Sequence, residues 1–283
     1  MNRSYSGLHR CALALAVLAL IVIVSGAYIT STEVVAQQNQ TAASGIDQMP
    51  HQVLSIALAV LALGAAIWTS FIANAARIRA LAWTGFATLA LDAALGLRGA
   101  PLSPALGIFH ALLAHFFLSV VIVIAVITSA GWNREPELVD DAGWSFLRPL
   151  AVAAPPVVLV QIVLGSAYRH QAIGIMPHMA GAMVVALLTL IVSAVVLQNF
   201  SKPASMRNAA ITLISIVLAQ VCFGIAAFLM LVLNAAGTFA FLLVTVGHVT
   251  IGAAALAASV VMAMQVSRSI VPKAQQAAAP GSI

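Results

Sequence analysis

Seven histidines stand in a chain whose apolar stretches carry almost no other ionisable side chains, and four of the seven recur in a pattern. The triplet Met-Pro-His opens two apolar runs, at Met49-Pro50-His51 and Met176-Pro177-His178, and a later run of each half carries another histidine, His110 and His248. Imidazole binds metals or carries protons. Zinc and di-iron centres want three or four ligands that include thiolate or carboxylate, yet the apolar runs offer one acid, Asp92, and two isolated cysteines, Cys11 and Cys222. Two histidines with nothing else suit haem iron, whose porphyrin fills four positions and leaves two axial ones. The pairs His51 with His110 and His178 with His248 therefore predict two haem-sized sites. Gly181, Gly247 and Gly252 lie near these ligands, as a flat macrocycle between close helices requires, although small residues also pack membrane helices against one another.

The other three histidines read differently. His115 lies five residues after His110, about 140° round the helix, so the two cannot share one porphyrin, and we expect His115 to pair with Asp92. His170, beside Arg169 in a loop, and His9, at a membrane surface, are expected to meet water or lipid head groups, with Arg169 in reach of a haem propionate.

The elements that must hold these residues follow from composition. The chain is 63% hydrophobic and 7% charged, with a mean hydropathy of +1.09, which no soluble globular domain approaches. Eight stretches, near 9–31, 51–74, 81–98, 105–130, 149–167, 175–197, 208–233 and 239–266, reach or approach the roughly 20 residues that cross a hydrocarbon core as helix. Alternating barrel patterning is absent, so an all-α integral membrane fold is predicted. With the N-terminus inside, the inner segments hold Arg3, Arg10, Arg77, Arg79, Arg134, Arg148, Lys202, Arg207, Arg268 and Lys273, and the outer ones only Arg98 and Arg169. That bias predicts cytoplasmic termini in a bacterial-type inner or plasma membrane. The pI of 9.9 reflects these scattered cations, which address anionic lipid and form no basic run for nucleic acid.

The chain reads as one unit used twice. Besides the Met-Pro-His triplets, Ile23-Val24-Ser25-Gly26-Ala27-Tyr28 is echoed by Ile162-Val163-Leu164-Gly165-Ser166-Ala167-Tyr168. Four helices per half give parallel repeats. We place an N-terminal four-helix half at 1–133, a cytoplasmic linker at 134–148, a C-terminal half at 149–267 and a disordered tail at 268–283. Small residues on many faces allow homo-oligomers as readily as packing within one chain.

Eight spans in two parallel halves, with a histidine in each even-numbered helix, resemble the haem A synthase family of cytochrome oxidase assembly proteins. The local match is strongest at Gln161-Ile162-Val163-Leu164-Gly165-Ser166-Ala167-Tyr168-Arg169-His170, similar to the family's fifth-helix phrase, with further likeness at His178 and Gly181, Gln220 and Gly224, and His248 and Gly252. The resemblance spans roughly 9–266 and is more specific in the second half. It implies a haem b held by His178 and His248, and a substrate haem near His51 and His110 whose methyl group is oxidised to a formyl group, turning haem O into haem A. It implies partners in oxidase assembly, such as a haem O synthase.

The departures define an alternative. Where the family has Glu-x-x-His-Arg, this chain has Gln48-Met49-Pro50-His51-Gln52, and Asp92 stands where the family has Gln. A carboxamide cannot transfer a proton as a carboxylate can, which leaves Asp47, Asp92 or Glu33 as the candidate acid. The enzyme reading, an oxidoreductase making haem A, thus stands beside that of a non-catalytic haem b cytochrome or assembly subunit derived from the same family. A transporter, or a bundle whose histidines hold no haem, is a third reading.

Overall fold

The computed structural model describes residues 3–40, 48–96, 102–141 and 143–271. Eight helices run in order: α1 Arg3–Gln38, α2 Met49–Ser70, α3 Ala76–Gly96, α4 Pro104–Thr128, α5 Leu147–Arg169, α6 Ile175–Asn199, α7 Ala204–Val232 and α8 Phe239–Ser269. All eight are long and apolar enough to cross a membrane, and large apolar side chains such as Phe71, Met183 and Leu233 face outward with 74–82% of their surface exposed. The chain is an all-α integral membrane protein, because only lipid makes such a surface tolerable. Prolines mark helix entries: Pro50 and Pro104 sit in the first turns of α2 and α4, where their missing N–H costs nothing.

Each half closes into a ring. In the first, α1 packs on α2, α2 on α3, α3 on α4 and α4 back on α1; in the second, α5 to α8 repeat the same circuit. The seam between the halves joins α1 to α8, α4 to α5 and α4 to α8. This set maps onto itself when α1 exchanges with α5 and α4 with α8, so the observed packing carries the pseudo-two-fold relation of the repeat.

Hydrophobic packing is concentrated at one end. Leu8, Ala12, Ala66, Val121 and Ile124 knit the first ring together, and Leu147, Val192, Val196, Met206, Leu213 and Val266 the second, all towards the ends of the helices that meet the linker between α4 and α5. The opposite end carries the paired histidines. In the second ring, no residue of 159–166, 175–188, 218–232 or 243–252 is buried on any helical face. Side chains facing lipid would be exposed anyway, but those turned into the ring are at most half-buried, so the second ring is loosely filled at that level. The first ring is fuller at that level, with Ala27, Asp92, Leu113 and His115 buried.

Several boundaries move from their sequence positions. Helix α1 runs 36 residues, about 54 Å, well beyond a hydrocarbon core of about 30 Å, and near its far end Asn39 donates to the Gly237 carbonyl at 2.9 Å. Helix α3 starts at Ala76, which puts Arg77 and Arg79 in its first turn and not in a loop, and expected residues 97 and 98 lie outside the described residues. Residues 268 to 271, expected in the tail, belong to regular elements. Helix α8 continues to Ser269, and β2 (Ile270–Val271) pairs in parallel with β1 (Val139–Asp140) of the linker, Val139 opposite Ile270. Arg268 secures this latch by donating to the carbonyls of Gly131 and Arg134 and stacking 4.5 Å above the Trp132 ring. Residues 272–283 lie outside the described residues. His9, near the start of α1, is half-buried, and its Nδ1 donates to the Ala125 carbonyl at 2.8 Å, tying α1 to α4.

Candidate functional site

Two Met-Pro-His openings place His51 and His178 in the first turns of α2 and α6, while His110 lies in the second turn of α4 and His248 in the third turn of α8. Helices α2 and α4 are not neighbours round their ring, nor are α6 and α8, so each pair of histidines meets across the middle of its bundle. The His51 and His110 ring centroids are 6.4 Å apart at an interplanar angle of 73°, and those of His178 and His248 are 6.1 Å apart at 81°. The expected pairing is therefore the observed one in both halves.

A glycine from an odd-numbered helix backs each ring. A Cβ built on Gly26 of α1 would lie 3.2 Å from Cε1 of His51; on Gly96 of α3, 3.5 Å from His110; on Gly165 of α5, 3.0 Å from His178; and on Gly224 of α7, 3.0 Å from His248. Any side chain at the last two would displace the imidazole. Each ring also has a polar neighbour on the same odd helix. Ser25 Oγ is 2.8 Å from His51 Nδ1, Asp92 Oδ1 is 2.7 Å from His110 Nδ1, Gln161 Nε2 is 2.9 Å from His178 Nδ1, and Gln220 Nε2 is 3.3 Å from His248 Nε2. The Asp92 contact is close without being aligned as a hydrogen bond, and Nδ1 of His248 is buried with no partner among the described residues.

These neighbours share a register. Asp92-x-x-x-Gly96, Gln161-x-x-x-Gly165 and Gln220-x-x-x-Gly224 each put the polar group one turn before the glycine, on the same helix face. In α1 the equivalent of that position is Val22, and Ser25, itself donating to the Val22 carbonyl at 2.8 Å, takes the role. The two long carboxamides need room, which Gly181 gives to Gln161 and Gly252 to Gln220. The matching positions of the first half, Leu54 and Ala114, carry side chains, and the polar groups there are the shorter Ser25 and Asp92. Sequence reasoning found the histidines and did not find these partners as a set, although the repeated polar-x-x-x-Gly phrase was there to be read.

The remaining candidates separate. Asp92 meets His110 and not His115, whose Nδ1 donates to the Ala111 carbonyl at 2.7 Å within its own helix. The helix phase of α4 does place His110 and His115 on different faces, but α3 packs on the face that carries His110. Asp47 lies outside the described residues. Glu33 is exposed on the projecting end of α1. Arg169 crosses the seam, donating from one terminal nitrogen to the Ala27 carbonyl (3.1 Å), to Ser31 Oγ (3.0 Å) and to Thr30 Oγ1. Thr245 of α8 donates to the same Ser31 at 3.2 Å. His170 is not in open solvent: its ring lies so close over Gly107 of α4 that a Cβ there would come within 2.5 to 3.0 Å of three ring atoms. That burial, with Arg169 and then His110 nearby, lowers the His170 pKa from the ordinary 6.5.

The donor sets fit haem. Among the described residues, no three of His, Cys, Asp and Glu converge on one point, whereas two imidazoles face each other twice. Rings bonded to opposite sides of one metal ion at about 2 Å, each centre about 1 Å behind its nitrogen, have centroids about 6 Å apart. Each polar neighbour fixes the orientation of its imidazole, and the oxygens of Ser25 and Asp92 can take the N–H of one ring nitrogen and leave the other for a metal. Compared with protein-family models, curated proteins and solved structures, the chain matches none.

Proposed function

We propose that this chain is a membrane haemoprotein of the haem A synthase type, holding one haem between His178 and His248 and a second between His51 and His110. The observation that carries the reading is the ring spacing, 6.1 and 6.4 Å, which equals the span of bis-imidazole ligation in two places that differ in sequence. The unpacked histidine end of the second bundle, backed by Gly165 and Gly224, supports a permanently held haem b there. When bound, haem supplies one-electron chemistry. The chain's own part is to orient four imidazoles, to hold their second nitrogens, and to keep water out with the packed linker end of each bundle.

In this proposal the first-half haem is the substrate, haem O, whose methyl group becomes the formyl group of haem A. A buried carboxylate at His110, with carboxamides in the matching slots of the second half, favours that reading over two equivalent haems. A second reading rests on the near equality of the two ring spacings: two fixed haem b groups form an electron-transfer subunit, since a substrate must be able to leave. Haem analysis by pyridine haemochrome spectrum and mass, after co-expression with a source of haem O, separates them. Haem A or its hydroxylated precursor in the first half supports the enzyme. Haem b alone, about two per chain, supports the electron carrier, and a chain without haem would sink both. Under the enzyme reading, replacing Gln48 by Glu raises turnover, because a carboxylate can move a proton where a carboxamide cannot.

A further inference from the structure

The two bundles match in their rings and glycines and differ in what stands behind one ring. Asp92 is the only acid buried among the described residues, with 7% of its side chain exposed, and it fills the slot one turn before Gly96 that Gln161 and Gln220 fill before Gly165 and Gly224. A structural carboxylate in a membrane helix is expensive, and a neutral carboxamide evidently suffices to orient an imidazole in the other half. Its cost therefore asks for a return that orientation alone does not give.

We propose that Asp92 is a positioning residue for His110 which makes the first-half haem iron the harder of the two to reduce, so that the paired bundles form a graded couple. The inference rests on the two-haem reading above. An imidazole bound to iron through one nitrogen keeps an N–H on the other, and the group that accepts it sets how strongly the ligand donates to the metal. Asp92 sets a negative charge 2.7 Å from His110 Nδ1 and can accept its N–H, whereas Gln161 and Gln220 present uncharged amide nitrogens to their rings, and the charge favours ferric over ferrous iron. Burial sharpens the effect, because few water dipoles remain to screen it.

Among the described residues, the other groups in contact with the pair do not cancel the charge. His51 faces His110 across the site, His115 is turned to the Ala111 carbonyl, and His170 packs on Gly107, one turn before His110. Arg169 is held by three acceptors of α1. In the second half the corresponding neighbours of His178 and His248 are the carboxamides of Gln161 and Gln220, whose Oε1 atoms are buried without partners. The groups in contact with the second pair of rings are thus polar and uncharged, and the charge that acts on His248 is the cation Arg169.

The test is a potentiometric titration of the purified full-length protein in detergent, followed by haem absorbance, with His51→Ala identifying the first-half wave by its loss. Two waves are expected, the first-half one lower. Asp92→Asn, which keeps the shape, should raise that wave by at least a tenfold change in the ferric to ferrous ratio, 59 mV for a one-electron couple, and leave the other in place. The reverse change, Gln161→Glu, should lower the second-half wave, and it carries the test should Asp92→Asn lose its haem. Waves that stay put in variants with full haem content overturn the inference and leave the two-haem reading standing. A wild-type protein that binds no haem overturns the reading itself.

Discussion

The two bundles hold their rings in nearly the same place by the same means and surround them differently. In the first, Gly26 and Gly96 stand 3.2 and 3.5 Å behind the rings as their Cβ positions would be drawn, with Ser25 and Asp92 as polar neighbours. In the second, both backing glycines are at 3.0 Å, the neighbours are Gln161 and Gln220, and the surrounding space is wider. The spacing of a ring pair is thus set by backbone approach, which a duplicated fold inherits whole. The polar neighbour is a single side chain and can diverge without moving the ring. Geometry is the conserved part of the repeat within this molecule, and electrostatics the part that distinguishes its halves.

The most severe way to break the comparison is to remove a ring. His178→Ala or His248→Ala should empty the second half alone and His51→Ala or His110→Ala the first alone, taking haem content from about two to about one per chain. Loss of all haem from any one of these would show that the halves are not separate sites. Next come the glycines, which grade the two halves. Gly165→Ala and Gly224→Ala should perturb the haem spectrum and cost about 1–3 kcal/mol of overpacking, Gly26→Ala less, and Gly96→Ala least, in the order of the distances. A spectrum disturbed most by Gly96→Ala would contradict the backing role.

Two smaller effects probe the seam. Arg169 is the side chain of the second half that reaches furthest into the first, and Arg169→Gln should lower thermal stability by about 2 kcal/mol or more, the scale of buried hydrogen bonds from a charged donor. An unchanged melting midpoint would mean that the halves cohere without it. His170, with its pKa held below 6.5 by burial, Arg169 and His110, gives the smallest effect and a signed one. The undocked imidazole takes up a proton near 6.5 and the docked one at a lower pH. The docked contact is therefore fully favourable above about pH 6.5 and is lost as pH falls toward the docked value. The wild type should lose melting temperature between about pH 7.5 and 5.5 more steeply than His170→Gln, and parallel slopes would remove His170 from the account.

What could be read from the sequence was what depends on one helix at a time. Hydropathy gave eight spans, and the doubled Met-Pro-His gave the two rings at matching depth, because depth follows from position along a helix. Pairing between helices was legible only where the repeat constrained it. Asp92 was matched to His115 by guess and belongs to His110, since the angle between two residues of α4 says nothing about which of them α3 faces. The bond from His9 to the Ala125 carbonyl is invisible in the sequence because it joins two helices. The β1–β2 latch escaped notice because a two-residue strand has no periodicity to detect. The polar-x-x-x-Gly phrase was visible in three helices, yet a glycine near a glutamine means nothing until a histidine stands opposite.

The packed linker end of the two bundles has an electrical meaning. From Leu8 to Ile124 in one ring and from Leu147 to Val266 in the other, Ala, Val, Leu and Met fill most of the middle of the molecule, and the buried hydroxyls of Thr69, Thr128, Thr189 and Ser259 are tied to carbonyls of their own helices. A charge attempting that route would pay the full cost of leaving water. The packed ends therefore shield the four imidazoles on one side, and the least costly approach for a charged group is from the histidine end.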